Sequence, residues 1–396
     1  MTDSDYTDML DWVNAHIDDD PIKLRLKFAG KMPRLDMALI QIECRRKAKK
    51  KLAETLQCKD FIFPTRLSEE QCTSDTLAAF HASLVNDGAT VADLTAGLGI
   101  DAFHIARKAA SVTAVEQEPV IAEALRHNAR VLGLDNISVV NDDCKNFLAL
   151  SDTTYDTMFI DPARRSATGE RVYRLADCSP DVTALLPAIA ARSHRLIVKA
   201  SPMLDITQIL RELPQTTDLY VVGSATECKE LVADIMFDKT ATEPTIHVWT
   251  PRYRFTFTPS EEEKAVAYYD SPRDGWYLYE PGATLMKAAP YKLLSERFGI
   301  AKLHPNTHLY CSETPVNDFP GEIWHIDRVA EFSSGELKRL AREYPRINVA
   351  VRNFDYTADW LRKKLKVKNG DSHRLIATTL HDGRKVMLIL SAAARR

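Results

Sequence analysis

The chain has 396 residues, of which 45% are hydrophobic and 27% are charged, and its formal net charge is −3. This length predicts two to four domains, and this composition excludes a disordered or fibrous chain. No run of about 18 apolar residues is present and the first residues are acidic, so we expect no membrane span, no secretory signal and a cytoplasmic protein.

The seven cysteines are scattered without a C-x-x-C pair, which favours reduced thiols over a disulfide framework or a zinc site, and we expect no metal. Charge is uneven along the chain. Residues 21–75 carry 13 basic and 7 acidic side chains, and residues 326–396 carry 16 and 8. Two basic flanks around a more acidic middle suit a polyanionic partner, although solvated helix faces explain either block equally well.

The first part of the chain is predicted to be helical, as an N-terminal region over residues 1–74. Helical spacing extends over residues 35–56 and includes a basic run at residues 45–51. Pro64 interrupts the pattern, and Ser74 with Asp75 can cap a helix that continues to about Val85.

Short apolar runs then alternate with amphipathic helices, which predicts a parallel sheet covered on both faces. The last strand follows its predecessor too closely for a crossover helix, so it should pair antiparallel. The predicted strands are residues 91–94, 112–116, 137–140, 157–160, 195–199, 219–222 and 230–237, with helices at 101–109 and 119–132.

The last third of the chain changes character. Residues 251–275 are rich in proline, charge and turn formers, which predicts a linker. Two small α+β units should follow, over residues 276–325 and 326–396. The second should end in a hairpin of residues 375–379 and 386–390, because His381-Asp382-Gly383 can form its turn.

Gly97 and Gly99 follow the first strand and open a helix, so a ligand can approach the backbone there. With Ala102 they also match a loose G-x-G-x-x-A dinucleotide pattern. A tight turn without a ligand, or an NAD-dependent oxidoreductase, therefore remains possible at this point.

Acidic residues at successive strand ends favour S-adenosyl-L-methionine as the cofactor. Asp93, just before the turn that contains Thr95, can meet the ammonium group of a methionine moiety. Glu116 can accept ribose hydroxyls, as it would for NAD as well. Asp143, with the Cys144 backbone beside it, follows the third strand, where an adenine amino group would lie. Each acid considered alone is explained more simply as a helix cap, but helix capping does not easily explain why acids occur at the ends of successive strands.

The fourth strand ends in Asp161-Pro162-Ala163-Arg164-Arg165. Proline fixes the backbone and leaves Asp161 and the neighbouring carbonyls to accept hydrogen bonds from a substrate. The two arginines are candidates for contact with phosphate or a substrate carboxylate, although surface solvation explains an arginine pair as well.

With these residues the chain resembles the class I S-adenosylmethionine-dependent methyltransferases, whose fourth motif is often D-P-P-aromatic or, in several RNA methyltransferases, D-P-x-R. The resemblance implies a Rossmann-like α/β domain with a seven-stranded sheet over residues 75–255. It also implies that Asp161, Pro162 and Arg164 act at the methyl acceptor.

A second resemblance spans nearly the whole chain. Phe63-Pro64, residues 70–74, Tyr279-Glu280-Pro281 and residues 361–380 look like bacterial methyltransferases that carry a ferredoxin-like insert and a C-terminal THUMP-like domain. This likeness implies a ferredoxin-like domain at 276–325 and a THUMP-like domain at 326–396. Since THUMP domains bind RNA, it implies an RNA partner, either rRNA or tRNA.

The expected reaction is methylation of a base nitrogen, which Asp161 would orient. Methylation of pyrimidine C5 would need a nucleophilic cysteine, and the ends of the fourth and fifth strands contain none. Cys178 is the nearest alternative and is expected to be a bystander. Lys199 can touch substrate or simply pair with Asp161. Methylation of a small molecule or protein, and RNA binding by an inactive domain, stay open.

Sequence-independent RNA affinity is expected from the basic run at 45–51 and from the cluster at 362–368. Tyr356 and Trp360 can stack on bases, but their helical spacing favours packing in the core.

Overall fold

The computed structural model describes residues 3–164, 174–224, 226–239, 243–370 and 372–393. The helices are α1 Asp3–Ala15, α2 Pro21–Phe28, α3 Leu35–Ala48, α4 Arg66–Gln71, α5 Asp75–Leu84, α6 Ile100–Ala106, α7 Pro119–Val131, α8 Cys144–Leu150, α9 Val182–Ala190, α10 Ile206–Glu212, α11 Pro259–Lys264, α12 Ala283–Ala288, α13 Tyr291–Phe298, α14 Ser334–Glu343 and α15 Ala358–Leu365. The strands are β1 Thr90–Asp93, β2 Ser111–Val115, β3 Ile137–Val140, β4 Tyr155–Ile160, β5 Ala163–Arg164, β6 Cys178–Ser179, β7 Ser193–Ala200, β8 Asp218–Gly223, β9 Cys228–Met236, β10 Thr245–Trp249, β11 Arg254–Phe257, β12 Tyr277–Pro281, β13 Ala301–His304, β14 Thr307–Ser312, β15 Gly321–Glu331, β16 Asn348–Arg352, β17 His373–Thr379 and β18 Lys385–Ala392.

The chain divides into two compact units. Residues 1–216 and 233–240 form the first unit, and residues 217–232 and 241–396 form the second. In the first unit β3, β2, β1, β4 and β7 pair side by side, and all of these pairings are parallel. Helices connect these strands, which confirms the predicted alternation and places the carboxyl ends of the strands along one edge.

The sheet that contains these strands has nine strands, in the order β11-β10-β8-β9-β7-β4-β1-β2-β3, where the sequence predicted seven. Strands β8 and β9 are neighbours joined by residues 224–227, a connection short enough only for an antiparallel pair, as predicted. The additional strands are β10 and β11. Part of this extension lies in the expected linker, where buried Phe255 and Phe257 alternate with exposed residues. A capping box of Thr258 and Glu261 then starts α11.

The N-terminal region is helical, as predicted, and α1 packs on α3 around buried Leu10, Leu39 and Ile42. The predicted helix at 35–56 ends at Ala48 instead. Residues 49–54 form turns and Thr55–Gln57 a short 3-10 helix, where the carboxylate of Asp75 accepts the backbone N–H groups of Glu54 and Thr55.

The basic run at 45–51 is largely occupied in holding this region together. Buried Arg45 donates to the carbonyls of residues 59 and 61, and Arg46 donates to those of residues 17 and 19. Lys51 donates to the carbonyls of residues 69 and 70, and Lys47 pairs with Glu70 at 3.2 Å. These contacts weaken the expectation that the run binds RNA.

The second unit contains a seven-stranded sheet in the order β13-β14-β12-β15-β18-β17-β16. The predicted hairpin is confirmed as the antiparallel pair β17 and β18. Strands of the two predicted α+β units join in this one sheet, because β15 pairs with both β12 and β18.

Tyr356 and Trp360 were expected in the core, and the structure contradicts this. Their rings stack at 4.0 Å with an angle of 13° between the planes, and the two residues are 40% and 37% exposed. Helix α15 buries Leu361 and Leu365 instead, so Trp360 lies outside the buried face of its helix.

In the described part of the chain, every helix is too short or too polar to cross a bilayer.

Candidate active site

The glycine-rich turn connects β1 to α6, and both glycines have positive φ angles, +53° for Gly97 and +93° for Gly99. A Cβ on Gly99 would lie 2.6 Å from the ring of Phe103, so this glycine is required by the turn itself. A Cβ on Gly97 would meet nothing within 4 Å. Gly97 therefore faces open space, into which a side chain would project.

Asp93 lies at the end of β1 and is 1% exposed. Its Oδ1 accepts the backbone N–H of Thr95 at 3.1 Å. Burial, together with the negative charges of Asp101 and Asp161, raises the pKa of Asp93 to about 8. A cationic ligand group beside this carboxyl would stabilise its ionised form, so the residue fits an ammonium group.

Glu116, just after β2, is buried and held by two backbone bonds. Its Oε2 accepts the N–H of Gly97 at 2.9 Å, and its Oε1 accepts the N–H of Glu118 at 2.8 Å. The carboxylate thus joins the glycine turn to the residue that precedes α7. Each carboxylate oxygen has a second lone pair, which suits a pair of ribose hydroxyls.

Asp143 caps α8, since its Oδ1 accepts the N–H of Lys145 at 2.7 Å. One carboxylate oxygen of Asp143 therefore caps the helix, as the simpler interpretation of this acid predicted. Burial raises the pKa of the neighbouring Cys144 to about 11, which keeps its side chain a neutral thiol.

Thr95 connects the glycine turn to the end of β4, because its hydroxyl accepts the N–H of Asp161 at 2.7 Å. Asp161 stays partly exposed, while the following Pro162 is buried. The Oδ2 of Asp161 accepts from Lys199 Nζ at 2.6 Å. Of the two roles considered for Lys199, pairing with Asp161 is the one seen.

A buried polar network continues from Lys199. Its Nζ also donates to the hydroxyl of Thr73 at 2.9 Å, and Thr73 donates to Oδ2 of Asp101 at 2.5 Å. His81 Nδ1 lies 2.7 Å from Oδ1 of Asp101. Although burial raises the pKa of Asp101, the charges of His81 and Lys199 hold it well below its usual range. Asp101 is therefore an ionised anchor for the lysine.

Sequence reasoning missed Thr73, His81 and Asp101. Two of these polar residues occupy buried helical positions, and this pattern could have identified them, because a buried polar group without a hydrogen bond destabilises the fold. His81 and Asp101 lie among the buried residues of α5 and α6. Which partner satisfies them depends on tertiary contacts.

Arg164 lies in β5, and its backbone pairs with that of Cys178 in β6. The side chain of Arg164 and the whole of Arg165 lie outside the described residues, so their expected contacts stay predictions. Cys178 is buried, and its thiol donates to the carbonyl of Arg174 at 3.6 Å.

Asp93 is thus the last residue of β1, and Glu116, Asp143 and Asp161 follow the carboxyl ends of β2, β3 and β4. Ligands of open α/β sheets bind at this edge. The open space at Gly97 leaves room for a ligand. The buried carboxyl of Asp93 fits an ammonium group, and the oriented carboxylate of Glu116 fits the ribose of a nucleoside.

Three family models match the chain. They are described as "Conserved hypothetical protein 95", over residues 76–175, a ferredoxin-like domain, over 277–320, and "THUMP domain-like", over 321–392. A proposed methyltransferase from Porphyromonas gingivalis W83, known from its crystal structure, is 30% identical. The match covers 99% of both chains with a TM-score of 0.90.

Two curated relatives match shorter segments. The 23S rRNA (uracil(1939)-C(5))-methyltransferase RlmD of Klebsiella pneumoniae (strain 342) is 28% identical over 134 residues, which cover 33% of this chain and 31% of that protein. The uncharacterised RNA methyltransferase MMOB5020 of Mycoplasma mobile is 33% identical over 84 residues, which cover 21% and 23%. The chain therefore spans less than a third of the length of these curated relatives.

Proposed function

This chain belongs to the same family of methyltransferases as the Porphyromonas gingivalis protein, and on that premise we propose that it methylates a base nitrogen of RNA, either rRNA or tRNA. The methyl donor is S-adenosylmethionine, whose sulfonium group supplies an activated methyl group when the cofactor is bound. The choice of RNA as the substrate rests on one observation, the exposed Tyr356–Trp360 stack beside a lysine cluster.

Residues around the glycine turn have defined roles toward this cofactor. Asp93 binds the ammonium group, and Glu116 accepts the ribose hydroxyls. Asp143 and the Cys144 backbone contact the adenine edge. Gly97 leaves the space that the cofactor needs, and Thr95 fixes the turn against the end of β4.

Asp161 acts at the methyl acceptor. Its carboxylate accepts the N–H of the target nitrogen and orients the nitrogen lone pair for in-line attack, and the carbonyl of Pro162 or Ala163 assists. The S–CH3 bond of the bound cofactor would break as the N–CH3 bond forms, S-adenosylhomocysteine would leave, and the proton of the target nitrogen would pass to Asp161. Lys199 positions Asp161 through its 2.6 Å ion pair and is itself held by Thr73. Arg164 is assigned to a phosphate of the substrate.

The aromatic stack in the second unit has the chemistry of a single-stranded RNA surface. Bases stack on exposed aromatic rings without regard to sequence, and nearby lysines add salt-sensitive affinity. Lys364 Nζ lies 5.9 Å from the Trp360 ring centre. Lys363, Lys366 and Lys368 are exposed close by in the sequence.

A nitrogen target agrees better with the site than pyrimidine C5. C5 methylation requires a cysteine that attacks C6 of the base. Cys178 is buried and hydrogen-bonded to a backbone carbonyl, so its thiol is not presented to a base. An RNA substrate of this kind also supports the expected cytoplasmic location.

The test uses labelled S-adenosylmethionine with two acceptors, total RNA from cells that lack this protein and an extract of the same cells stripped of RNA. We expect label in RNA with wild type and none with Asp161→Asn. Nucleoside mass spectrometry then identifies the methylated atom. Label found solely in the stripped extract would replace RNA by a small molecule or protein, and label at pyrimidine C5 would refute the nitrogen target.

A further inference from the structure

The second unit contains a cavity of about 600 Å³ that plays no part in the methyl transfer described above. The motif Tyr279-Glu280-Pro281, which stood out in the sequence, contributes Glu280 and Pro281 to its lining. Arg352 and Arg374 line it from the segment matched by the THUMP-like model. A cavity of this size accommodates a ligand as large as a nucleotide.

Glu280 holds both arginines at the cavity. Its Oε1 accepts from Nε of Arg352 at 2.9 Å, and its Oε2 lies 3.2 Å from Nη1 of Arg374. The same Nη1 lies 3.2 Å from Glu322. Among the described residues, Nη2 of Arg374 donates no hydrogen bond, so this guanidinium retains a donor for a ligand.

Two residues that line the cavity each have a buried polar atom without a hydrogen-bond partner among the described residues. Thr307 is 2% exposed, and its hydroxyl has no hydrogen-bond partner in the described part of the chain. The buried Nδ1 of His308 has none there either. A buried polar group without a partner destabilises the folded protein. Such groups are expected where a ligand completes the hydrogen bonds.

The ring of His308 is fixed and neutral. It stacks on Tyr291 with ring centres 3.4 Å apart and an angle of 17° between the planes. Burial, together with the positive charge of Lys302, lowers the pKa of His308 to about 4. A neutral imidazole nitrogen and a hydroxyl can each donate or accept, which suits the edge of a nucleobase.

We propose that this cavity binds a nucleoside monophosphate unit, with its phosphate on Arg374 and its base edge on Thr307 and His308. Pro281, Ala283 and Met286 give the cavity an apolar wall for the face of the base. Glu280 and Glu322 balance the two arginines, so the phosphate binds at a site that is close to neutral. The unit comes from a free nucleotide or from RNA, and only the second source rests on the proposed function.

The experiment is calorimetric titration of the full-length protein, without S-adenosylmethionine, using the four 5′-mononucleotides, their nucleosides and a short oligoribonucleotide. We expect at least one nucleotide to bind, and its nucleoside to bind at least tenfold more weakly. Thr307→Val and Arg374→Gln should each weaken nucleotide binding at least tenfold. Glu322→Gln should tighten it. Arg339→Gln, which changes an arginine of α14 that does not line the cavity, should change nothing.

Binding of a mononucleotide, without any oligoribonucleotide binding that Arg374→Gln weakens, identifies a free nucleotide as the ligand. Oligoribonucleotide binding that Arg374→Gln weakens identifies RNA, because the Tyr356–Trp360 stack does not line the cavity. The proposal is wrong if none of these probes produces a heat of binding. It is also wrong if wild type, Thr307→Val and Arg374→Gln bind the nucleotide equally. Unfolding of Thr307→Val leaves Arg374→Gln as the deciding variant. Because no methyl transfer is measured, failure of the proposed function leaves these results unaffected.

Discussion

Asp93 should make cofactor binding depend on pH. Its pKa of about 8 means that the free protein carries a proton on this carboxyl at neutral pH. Binding of an ammonium group requires the ionised form, so the proton must leave on binding. Each pH unit below the pKa then costs about 1.4 kcal/mol, or about tenfold in affinity. The affinity should therefore rise with pH below 8, which is the sign expected for a carboxyl whose pKa is raised.

Between pH 6 and 7.5 the association constant for S-adenosylhomocysteine should increase by about 20-fold, because the ionised fraction of Asp93 increases by that factor. Up to pH 7.5 the ligand's own amino group stays mostly protonated. Isothermal titration in two buffers of different ionisation enthalpy should show release of about one proton at pH 6.5. Asp93→Asn should bind weakly and release none.

A flat affinity over this interval, or binding without proton release by the wild-type protein, would refute the reasoning. Glu43→Gln is a suitable control, because Glu43 pairs with Arg66 outside the glycine turn. That variant should keep the wild-type pH dependence.

Four further changes test other parts of the site. Gly97→Arg should abolish S-adenosylhomocysteine binding in titration, since its side chain enters open space, and should lower the melting temperature by a few degrees, since the φ of +53° is strained for any side chain; retained binding would contradict the assignment of the turn. Lys199→Met should lower kcat at least tenfold yet change the cofactor Kd less than threefold, because Lys199 positions Asp161; an unchanged kcat would remove it from the mechanism. Trp360→Ala should weaken binding of single-stranded RNA by about 1–3 kcal/mol in fluorescence anisotropy, whereas Trp249→Ala in β10 should not, and equal losses would argue against base stacking. Cys178→Ser should keep methyl transfer to RNA within a few-fold, and a complete loss would favour C5 chemistry.

The alternation of strands and helices could be predicted from the sequence because apolar periodicity records burial directly. It placed Asp93, Glu116 and Asp161 at strand ends, where the structure has them. The end of α3 could not be predicted, because bonds from Asp75 to residues 54 and 55 set it. Strand β11 was hidden by the charged and proline-containing residues around it.

Aromatic residues and the polar network show the same limit. Spacing on α15 does not tell which residues face the core, so Trp360 was placed inside although Leu361 and Leu365 fill that position. The network of Thr73, Asp101 and Lys199 joins residues far apart in sequence. Local patterns contain no information on such pairs.

Thr73 limits how many N-terminal residues can be deleted from this protein. It precedes the predicted start of the methyltransferase domain at residue 75, yet its hydroxyl lies between Lys199 and Asp101. A fragment cut at that boundary would keep every residue of the glycine turn and still lose one support of Asp161. Engineering a minimal enzyme from this chain should therefore begin at or before α4, whose residues lead directly to Thr73.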